Sequence, residues 1–210
     1  MPRFRQLVIL IGFLSNVMDF LNFNEGECSM LTKSDYEKYS NEAKKYLEKA
    51  GIAITKEEEG RIEVAEYELG CIDKVGLELV VYVNTERCCA KELVLLPYQT
   101  CPEHRHPEIN GEVGKEETFR CRYGTVYLYV EGDGPDEIKA KKPDGMEEYF
   151  TCRKEIVLNP GEQYTIMPNT LHWFQAGSEG AVVSEFSTKS RDEYDIYTDP
   201  RIDAAGKRNV

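Results

Sequence analysis

The segment Cys101–Gly124, "CPEHRHPEINGEVGKEETFRCRYG", carries two of the three histidines in the chain. His104 and His106 are two residues apart, and the third, His172, lies in "MPNTLHWFQAG". In a β-strand, residues i and i+2 project from the same face, so both imidazoles are expected on one side of one strand. Because imidazole is a common ligand of divalent transition metals, the spacing indicates a metal site.

The residues after this pair extend the pattern. Glu117 precedes Gly124 with six residues between them. Gly161 opens "GEQYTIMPNTLHW", in which a turn, a strand and Pro168 lead to His172. Since no histidine lies outside the pattern, chance placement in a β protein is a weak explanation.

This order of residues resembles the two metal motifs of the cupin superfamily, whose ligands converge inside a small β-barrel. The resemblance implies that a divalent metal is bound by His104, His106, Glu117 and His172. The gap from His106 to Glu117 is longer than the usual one, and Ala176 stands where the motif often has asparagine. Glu116 therefore remains an alternative to Glu117 as the carboxylate ligand.

The flanking sequence alternates with the period of strands from Cys71 onward. Glycine, proline, asparagine and aspartate separate the short apolar runs, which favours a β-sandwich or barrel. The predicted strands lie in "GLELVVYVN", "KELVLLPYQ", "TFRCRYGTVYLYVEG", "YFTCRKEIVLNPGEQYTIMP" and "EGAVVSEFST". We therefore expect a mainly β protein, a single jelly-roll-like cupin barrel with a short helical N-terminal segment.

The N-terminal part predicts helices. Ser34 and Glu37 have the spacing of a capping box, Gly51 supplies a stop, and Thr55 can cap a second short helix. The expected division is an apolar extension over 1–29, a helical segment over 30–70, the barrel with its metal site over 71–202, and a tail over 203–210. The extension contains "LVILIGFLSNV", which is too short to span a bilayer. We interpret it as translation from an upstream start codon before Met30, with a signal peptide as the alternative.

Composition restricts the partners. The chain has 26 basic and 38 acidic residues and a formal net charge of −12, which argues against nucleic acid and anionic membranes. Its seven cysteines are odd in number and show no CxxC spacing. We therefore expect a reduced, cytoplasmic protein without a disulfide framework.

A closer resemblance covers the chain from about Leu31 to Ile202. The stretches "YVNTERCCAKELVLLPYQTCPEHRHP", "GKEETFRCRYGTVYLYVEG" and "DIYTDPRI" are similar to the compact bacterial D-lyxose isomerases of the cupin superfamily. The resemblance implies a homodimeric aldose–ketose isomerase that acts on a monosaccharide, D-lyxose with D-xylulose and also D-mannose with D-fructose. It implies Mn²⁺ as the metal, with zinc, iron, cobalt or nickel as alternatives.

Isomerisation through an enediol needs a base for the C2 proton, and the histidines are assigned to the metal. Glu185 is the candidate because it lies in the apolar strand "AVVSEFS", where a charge is costly without a purpose. A solvent-facing edge position is its alternative. Lys115 could neutralise an oxyanion or bind the sugar, or it could be a solvated loop lysine. Two other functions stay open: an oxygen-dependent cupin dioxygenase and a non-catalytic cupin that binds metal or sugar.

Overall fold

The computed structural model describes residues 31–202, and helix α1 (Lys33–Lys49) is its first element. The predicted capping box exists, but Thr32 and Asp35 form it rather than Ser34 and Glu37. The Asp35 N–H donates to the Thr32 hydroxyl over 3.2 Å, and the Thr32 N–H donates to the Asp35 carboxylate over 3.0 Å. Aspartate can fill the N3 role because its carboxylate reaches back to the N-cap as glutamate does.

The end of α1 and the start of the next helix follow the prediction. Ala50 caps α1, and Gly51 then takes a φ of 69°, which is accessible to glycine without strain. Thr55 caps the short helix α2 (Lys56–Glu59). The apolar side of α1 packs on the outer face of the sheet, in a cluster with Val80, Val94 and Val182.

Within residues 31–202, the remainder of the chain forms nine β-strands and two short 3-10 helices. The strands are β1 (Glu63–Ala65), β2 (Leu77–Asn84), β3 (Cys89–Leu95), β4 (Thr100–Arg105), β5 (Glu117–Val130), β6 (Lys154–Leu158), β7 (Gln163–Ile166), β8 (His172–Ser187) and β9 (Ile196–Tyr197). One path through the sheet runs β1-β2-β3-β8-β4-β9, and β5 pairs with β6, β7 and β8. All these pairings are antiparallel. The prediction of a mainly β, cupin-like fold is confirmed, and the antiparallel sheet is curled into a half-barrel.

The long pair of β5 and β8 is bent at two glycines. Gly124 has a φ of 71° and Gly180 a φ of 72°, both in the left-handed region. A Cβ at Gly124 would collide with the Gly180 carbonyl oxygen, so the two backbones meet where only glycine fits. The glycine that ends the motif after Glu117 is therefore the residue at which the ladder turns.

The bend brings opposite ends of this ladder together. Glu117 pairs with Ser187 at one end, and Val130 pairs with His172 at the other. A flat strand as long as β5 would separate the two ends by roughly 40 Å. In the folded chain, Glu117 Oε1 lies 3.0 Å from His172 Nε2.

The main apolar core fills the inside of the curled sheet. It includes Leu77, Leu79, Leu93, Leu95, Phe119, Leu128, Phe174 and Val183. Full burial of each such side chain contributes about 1.5–3 kcal/mol relative to exposure. Alternate residues of the same strands face outward, so the period of two in the sequence separates the core from the outer face.

The predicted extension over 1–29 and the predicted tail over 203–210 lie outside the described residues. No helix between residues 31 and 202 has the length and apolar character needed to cross a membrane. The cysteines of the described part are free thiols.

Candidate active site

The three histidines meet at one end of the barrel. His104 belongs to β4, His106 follows the last residue of that strand, and His172 opens β8 opposite His104. All three side chains are buried, and one ligand atom from each lies within 4.8 Å of the others. The predicted convergence of the three imidazoles is therefore present, within the part of the chain that the structure describes.

The outer ring nitrogens are already engaged. His104 Nδ1 lies 2.8 Å from the Pro102 carbonyl oxygen, and His172 Nδ1 lies 2.9 Å from the Thr170 carbonyl oxygen. A carbonyl oxygen can only accept, so each Nδ1 carries the proton and each Nε2 keeps its lone pair. This arrangement is typical of metal-binding histidines, whose second nitrogen is fixed by a backbone or carboxylate partner.

The third histidine is fixed by a carboxylate. His106 Nδ1 lies 2.6 Å from Asp195 Oδ1, and His106 Nε2 lies 3.2 Å from Glu117 Oε1. Burial and Lys115 lower the pKa of His106, but the two carboxylates outweigh them and raise it to about 9. By contrast, burial and the neighbouring imidazoles hold the pKa of His104 well below its ordinary value, which keeps that ring neutral.

Glu117, and not Glu116, reaches the histidines. The Glu117 side chain is buried, whereas Glu116 is exposed and joins the structure through backbone hydrogen bonds to Thr188. Burial opposes ionisation, but Lys115 and His106 hold the pKa of Glu117 well below its ordinary value. The carboxylate is therefore an anion beside the imidazoles.

The contact between Glu117 and His172 indicates whether a cation fits between the two side chains. Their Oε1 and Nε2 atoms are 3.0 Å apart, yet the buried His172 Nε2 has no hydrogen-bond partner among residues 31–202. Two lone pairs that face each other without a proton between them repel. A cation between them turns this repulsion into coordination, so the nitrogen and oxygen donors present fit a divalent metal.

Lys115 and Glu185 also lie in this site. Lys115 Nζ is 2.7 Å from Glu117 Oε2 and 3.0 Å from Glu185 Oε1, and all three side chains are buried. Burial lowers the pKa of Lys115, but the surrounding carboxylates raise it well above its ordinary value. Glu185 also accepts the Ser187 hydroxyl over 3.0 Å. The alternatives of a solvated lysine and a solvent-facing glutamate do not hold.

Three charged residues at this site were not predicted from the sequence. Lys91 pairs with Glu185 across β3 and β8, and its Nζ donates to Asp192 Oδ2 over 2.7 Å. Asp195 holds His106. Lys91 could have been predicted in the same way as Glu185, because it is also a charged residue in an apolar strand. Asp192 and Asp195 could not, because they lie after β8 in a segment without periodicity.

The charges of the site also suit a divalent cation. The carboxylates are Glu117, Glu185, Asp192 and Asp195, and the lysines are Lys91 and Lys115. The four carboxylates and two ammonium groups leave a net charge of −2, which a divalent cation would balance once it had displaced the proton that His106 holds at its raised pKa. Buried charges are stable only when they are compensated in this way.

These side chains line a cavity that opens to solvent. The space inside it that the centre of a water molecule can occupy is about 30 Å³, and the rest of the free space is open to solvent. Its polar wall is formed by Lys91, His104, His106, Lys115, Glu117, Glu185, Asp192 and Asp195, and its remaining wall by Tyr67, Leu77, Leu79, Leu93, Cys101, Phe119, Phe174 and Tyr197.

A second aromatic cluster lies away from the cavity. Trp173 is fully buried, stacks on Tyr129 at 4.1 Å between ring centroids, and donates to the Cys152 carbonyl oxygen. Tyr129 and the half-buried Tyr127 belong to the same cluster under the segment 131–153. Strand alternation turns Tyr129 away from the cavity.

A curled antiparallel half-barrel with a cluster of three histidines at one end defines a cupin-like protein with a candidate metal site. The chain belongs to the D-lyxose isomerase family, whose model matches residues 32–204. The resemblance deduced from the sequence is therefore confirmed.

Individual relatives agree with this assignment. The chain is 62% identical over 173 residues to a D-lyxose/D-mannose isomerase of Thermosediminibacter oceani, which covers 82% of this chain and 96% of the relative. It is 59% identical over 173 residues to a D-lyxose ketol-isomerase of a Thermofilum species, with the same coverage. Among solved structures, the L-ribose isomerase of Cellulomonas parahominis with L-ribose superposes with a TM-score of 0.69. That structure covers 84% of this chain and 96% of its own at 14% identity, so it supports the fold alone.

Proposed function

We propose that this protein is a metal-dependent aldose–ketose isomerase that interconverts D-lyxose with D-xylulose, and also D-mannose with D-fructose. The family and the names of its relatives support the activity. The single observation that carries the proposal is the buried Lys115, which bridges Glu117, beside the histidines, to Glu185. Glu117, the carboxylate beside the histidines, and Glu185, the candidate base, thus lie in one cavity.

We infer that the metal is held by His104, His106, Glu117 and His172. When bound, a divalent cation supplies positive charge that stabilises negative charge on the sugar oxygens O1 and O2. We infer Mn²⁺ from the family resemblance. The donor set of three nitrogens and one oxygen also suits zinc, iron, cobalt and nickel.

The chain's own groups move the protons. In the aldose-to-ketose direction, Glu185 takes the proton from C2, and one proton is returned at C1 while the O2 hydroxyl proton is transferred to O1. The Lys115 ammonium and the Ser187 hydroxyl orient the Glu185 carboxylate. Lys115 also places a positive charge beside the developing enediolate, which lowers the barrier.

We also propose a homodimer in the cytoplasm, from the family resemblance and the expected reduced cysteines. Phe186 is 51% exposed on the outer face of the sheet, as an apolar residue at a subunit contact would be in a single chain. The proposed division keeps 30–70 as the N-terminal segment and 71–202 as the barrel, with 1–29 and 203–210 as an extension and a tail outside the catalytic unit. The expectation that 30–70 is helical is corrected at Glu63–Ala65, which forms strand β1 and joins the sheet. Light scattering on the purified protein measures the oligomeric state.

The activity is tested with metal-loaded protein under anaerobic conditions. Incubation with D-lyxose, D-mannose and L-ribose should give ketose from the first two, and solvent deuterium should enter the product. In a separate aerobic assay, oxygen uptake with aromatic or thiol substrates, together with no ketose in the anaerobic one, would instead support a cupin dioxygenase. Sugar binding without turnover at full metal occupancy would support a non-catalytic module.

A further inference from the structure

The turn after β1 holds two successive residues in an unfavourable backbone conformation. Tyr67 has a φ of 58° and Glu68 a φ of 55°, and the Leu69 N–H closes the turn on the Glu66 carbonyl oxygen. Positive φ at both central residues is the pattern of a type I′ turn, which favours glycine and asparagine. At the comparable pair Asn110 and Gly111 the chain has asparagine and glycine, and the other described residue with a side chain of this kind at positive φ is the single, exposed Tyr98, with a φ of 61°.

Side chains other than glycine or asparagine in this region cost free energy, and such strain persists where function requires it. Glu68 is exposed and does not line the cavity. Tyr67 is half-buried and its side chain lines the cavity beside the histidines. The turn therefore directs the Tyr67 ring into the site.

The ring continues an aromatic surface that reaches the candidate metal ligands. Tyr67 and Tyr197 have ring centroids 5.6 Å apart, and Tyr197 and His104 have centroids 5.4 Å apart. The Tyr67 hydroxyl lies 3.5 Å from Cys101 Sγ in the same cavity. This wall is aromatic and weakly polar, whereas the lysines and carboxylates lie together elsewhere in the lining.

A small sugar presents the same two kinds of surface. Its reacting carbons C1 and C2 need charges and proton-transfer groups. The C–H bonds of the remaining carbons form apolar patches that pack on aromatic rings, while a phenol hydroxyl can bind a sugar hydroxyl.

We propose that Tyr67 is a substrate-contacting residue whose ring holds the non-reacting carbons of the sugar, and that the strained turn is retained to place it. The inference rests on the proposed isomerase function and extends it by assigning sugar specificity to the turn after β1. It predicts that the Tyr67 ring determines sugar affinity more than the rate of proton transfer.

Three variants separate this role from packing. Tyr67→Gly relieves the strain and removes the ring. Tyr67→Leu removes the ring but retains a Cβ at the same unfavourable φ and an apolar side chain that can pack. Glu68→Gly is the matched control, because it relieves the same kind of strain and leaves the ring in place.

Two measurements are made on each metal-loaded variant: steady-state kinetics with D-lyxose, and calorimetric titration with D-arabitol, the unreactive polyol made by reducing D-lyxose. Thermal unfolding of metal-loaded and metal-free protein reports stability. We expect Glu68→Gly to raise the unfolding temperature with an unchanged KM. We expect Tyr67→Gly and Tyr67→Leu to raise KM and the D-arabitol Kd about tenfold or more, with a smaller change in kcat.

The outcomes separate the two proposals. If the wild-type chain forms no ketose, the proposed function fails, and the D-arabitol titration still tests Tyr67. If Tyr67→Leu binds D-arabitol as the wild type does, or if the wild type does not bind it, the role of Tyr67 is overturned. If Tyr67→Gly does not fold, Tyr67→Leu decides. A Glu68→Gly variant with the same loss of affinity as Tyr67→Leu would also overturn the proposal, because the loss would then come from the turn and not from the ring.

Discussion

Lys115 donates from Nζ to Glu185 Oε1 over 3.0 Å in an ion pair that is buried on both sides. Removal of one partner of such a pair leaves the other charge uncompensated. The pair therefore fixes the orientation of the Glu185 side chain within the cavity. Its consequences for catalysis can be tested by a change that keeps the side-chain volume.

Glu185→Gln should lower kcat by about 100-fold or more, the usual contribution of a positioned base. KM and bound metal should change little, since Glu185 is not one of the proposed metal ligands. Exchange of the C2 proton with solvent deuterium should fall in step with turnover. Turnover and metal content measured on the same sample check both statements.

Glu92→Gln is the matched control for this variant. Glu92 is also a buried strand carboxylate that accepts a serine hydroxyl, that of Ser184, but it lies on the outer face of the sheet. Its variant should keep normal turnover. Near-normal turnover of Glu185→Gln would dismiss Glu185 as the base, and joint loss of metal would make it a support of the metal site.

The metal ligands are tested by metal content. His106→Ala and His172→Ala should each weaken metal affinity by more than about 100-fold, since even residues that only orient ligands contribute 10–100-fold. Added Mn²⁺ should raise the unfolding temperature of the wild type but not of these variants, because only binding to the folded state stabilises it. Full occupancy and turnover in either variant would refute the site.

The choice between adjacent glutamates gives a second metal test. Glu117→Gln should lower metal affinity because its buried oxygen lies beside two imidazoles, whereas the exposed Glu116→Gln should not. Metal titration followed by calorimetry compares the two. The reverse order of effects would transfer the ligand role to Glu116.

Glu78 predicts a dependence of stability on pH. Its side chain is fully buried, Gln99 donates to Oε1, and no group in the described part of the chain donates to Oε2. Burial raises the pKa of Glu78 to about 8 from an ordinary value of 4.5, although the hydrogen bond from Gln99 lowers it. Between these two pH values the folded chain holds a proton that the unfolded chain releases, so the contribution to stability falls as the pH rises.

Glu78→Gln should remove this dependence. The free energy of unfolding of the variant minus that of the wild type should increase by at least about 2 kcal/mol when the pH is raised from 5 to 9, since each pKa unit corresponds to about 1.4 kcal/mol. Urea unfolding at several pH values measures the difference. Glu57→Gln, at an exposed position, should reproduce the wild-type profile. Parallel profiles for Glu78→Gln and the wild type would contradict the prediction.

A chain that starts at Met30 should fold and turn over normally, because the family match begins at residue 32. The shorter chain retains Thr32, the N-cap of α1. Gel filtration and kinetics compare it with the full chain. Loss of solubility or of turnover in the shorter chain would show that "LVILIGFL" contributes to the core or to an interface.

The sequence predicted those features that depend on periodicity or on local spacing. Alternation located the strands, and the motif located the three histidines, because neighbours on a strand face remain neighbours in the fold. The capping residues were wrong by two positions, since Ser34 and Thr32 both precede an acidic residue at the required distance. Such a choice depends on where the chain packs and not on the motif.

Contacts between distant segments were harder to predict. Lys91 meets Glu185 only through the register of β3 with β8, and Asp195 reaches His106 from a 3-10 segment after β8. Neither relation has a local pattern. Tyr67 was missed because its signal is a backbone angle, which the sequence does not reveal at a residue other than glycine.

The bend at Gly124 and Gly180 gives the proposed metal a mechanical role. Because the bend brings Glu117 to His172, a cation bound by both would cross-link the two ends of the β5–β8 ladder. A chelator that removed the cation would break this link without breaking a covalent bond, and the curvature of β5 and β8 would then fluctuate more. Helix α1 packs on the outer face of the sheet near Val182, so it would keep its support while the mouth of the barrel loosened.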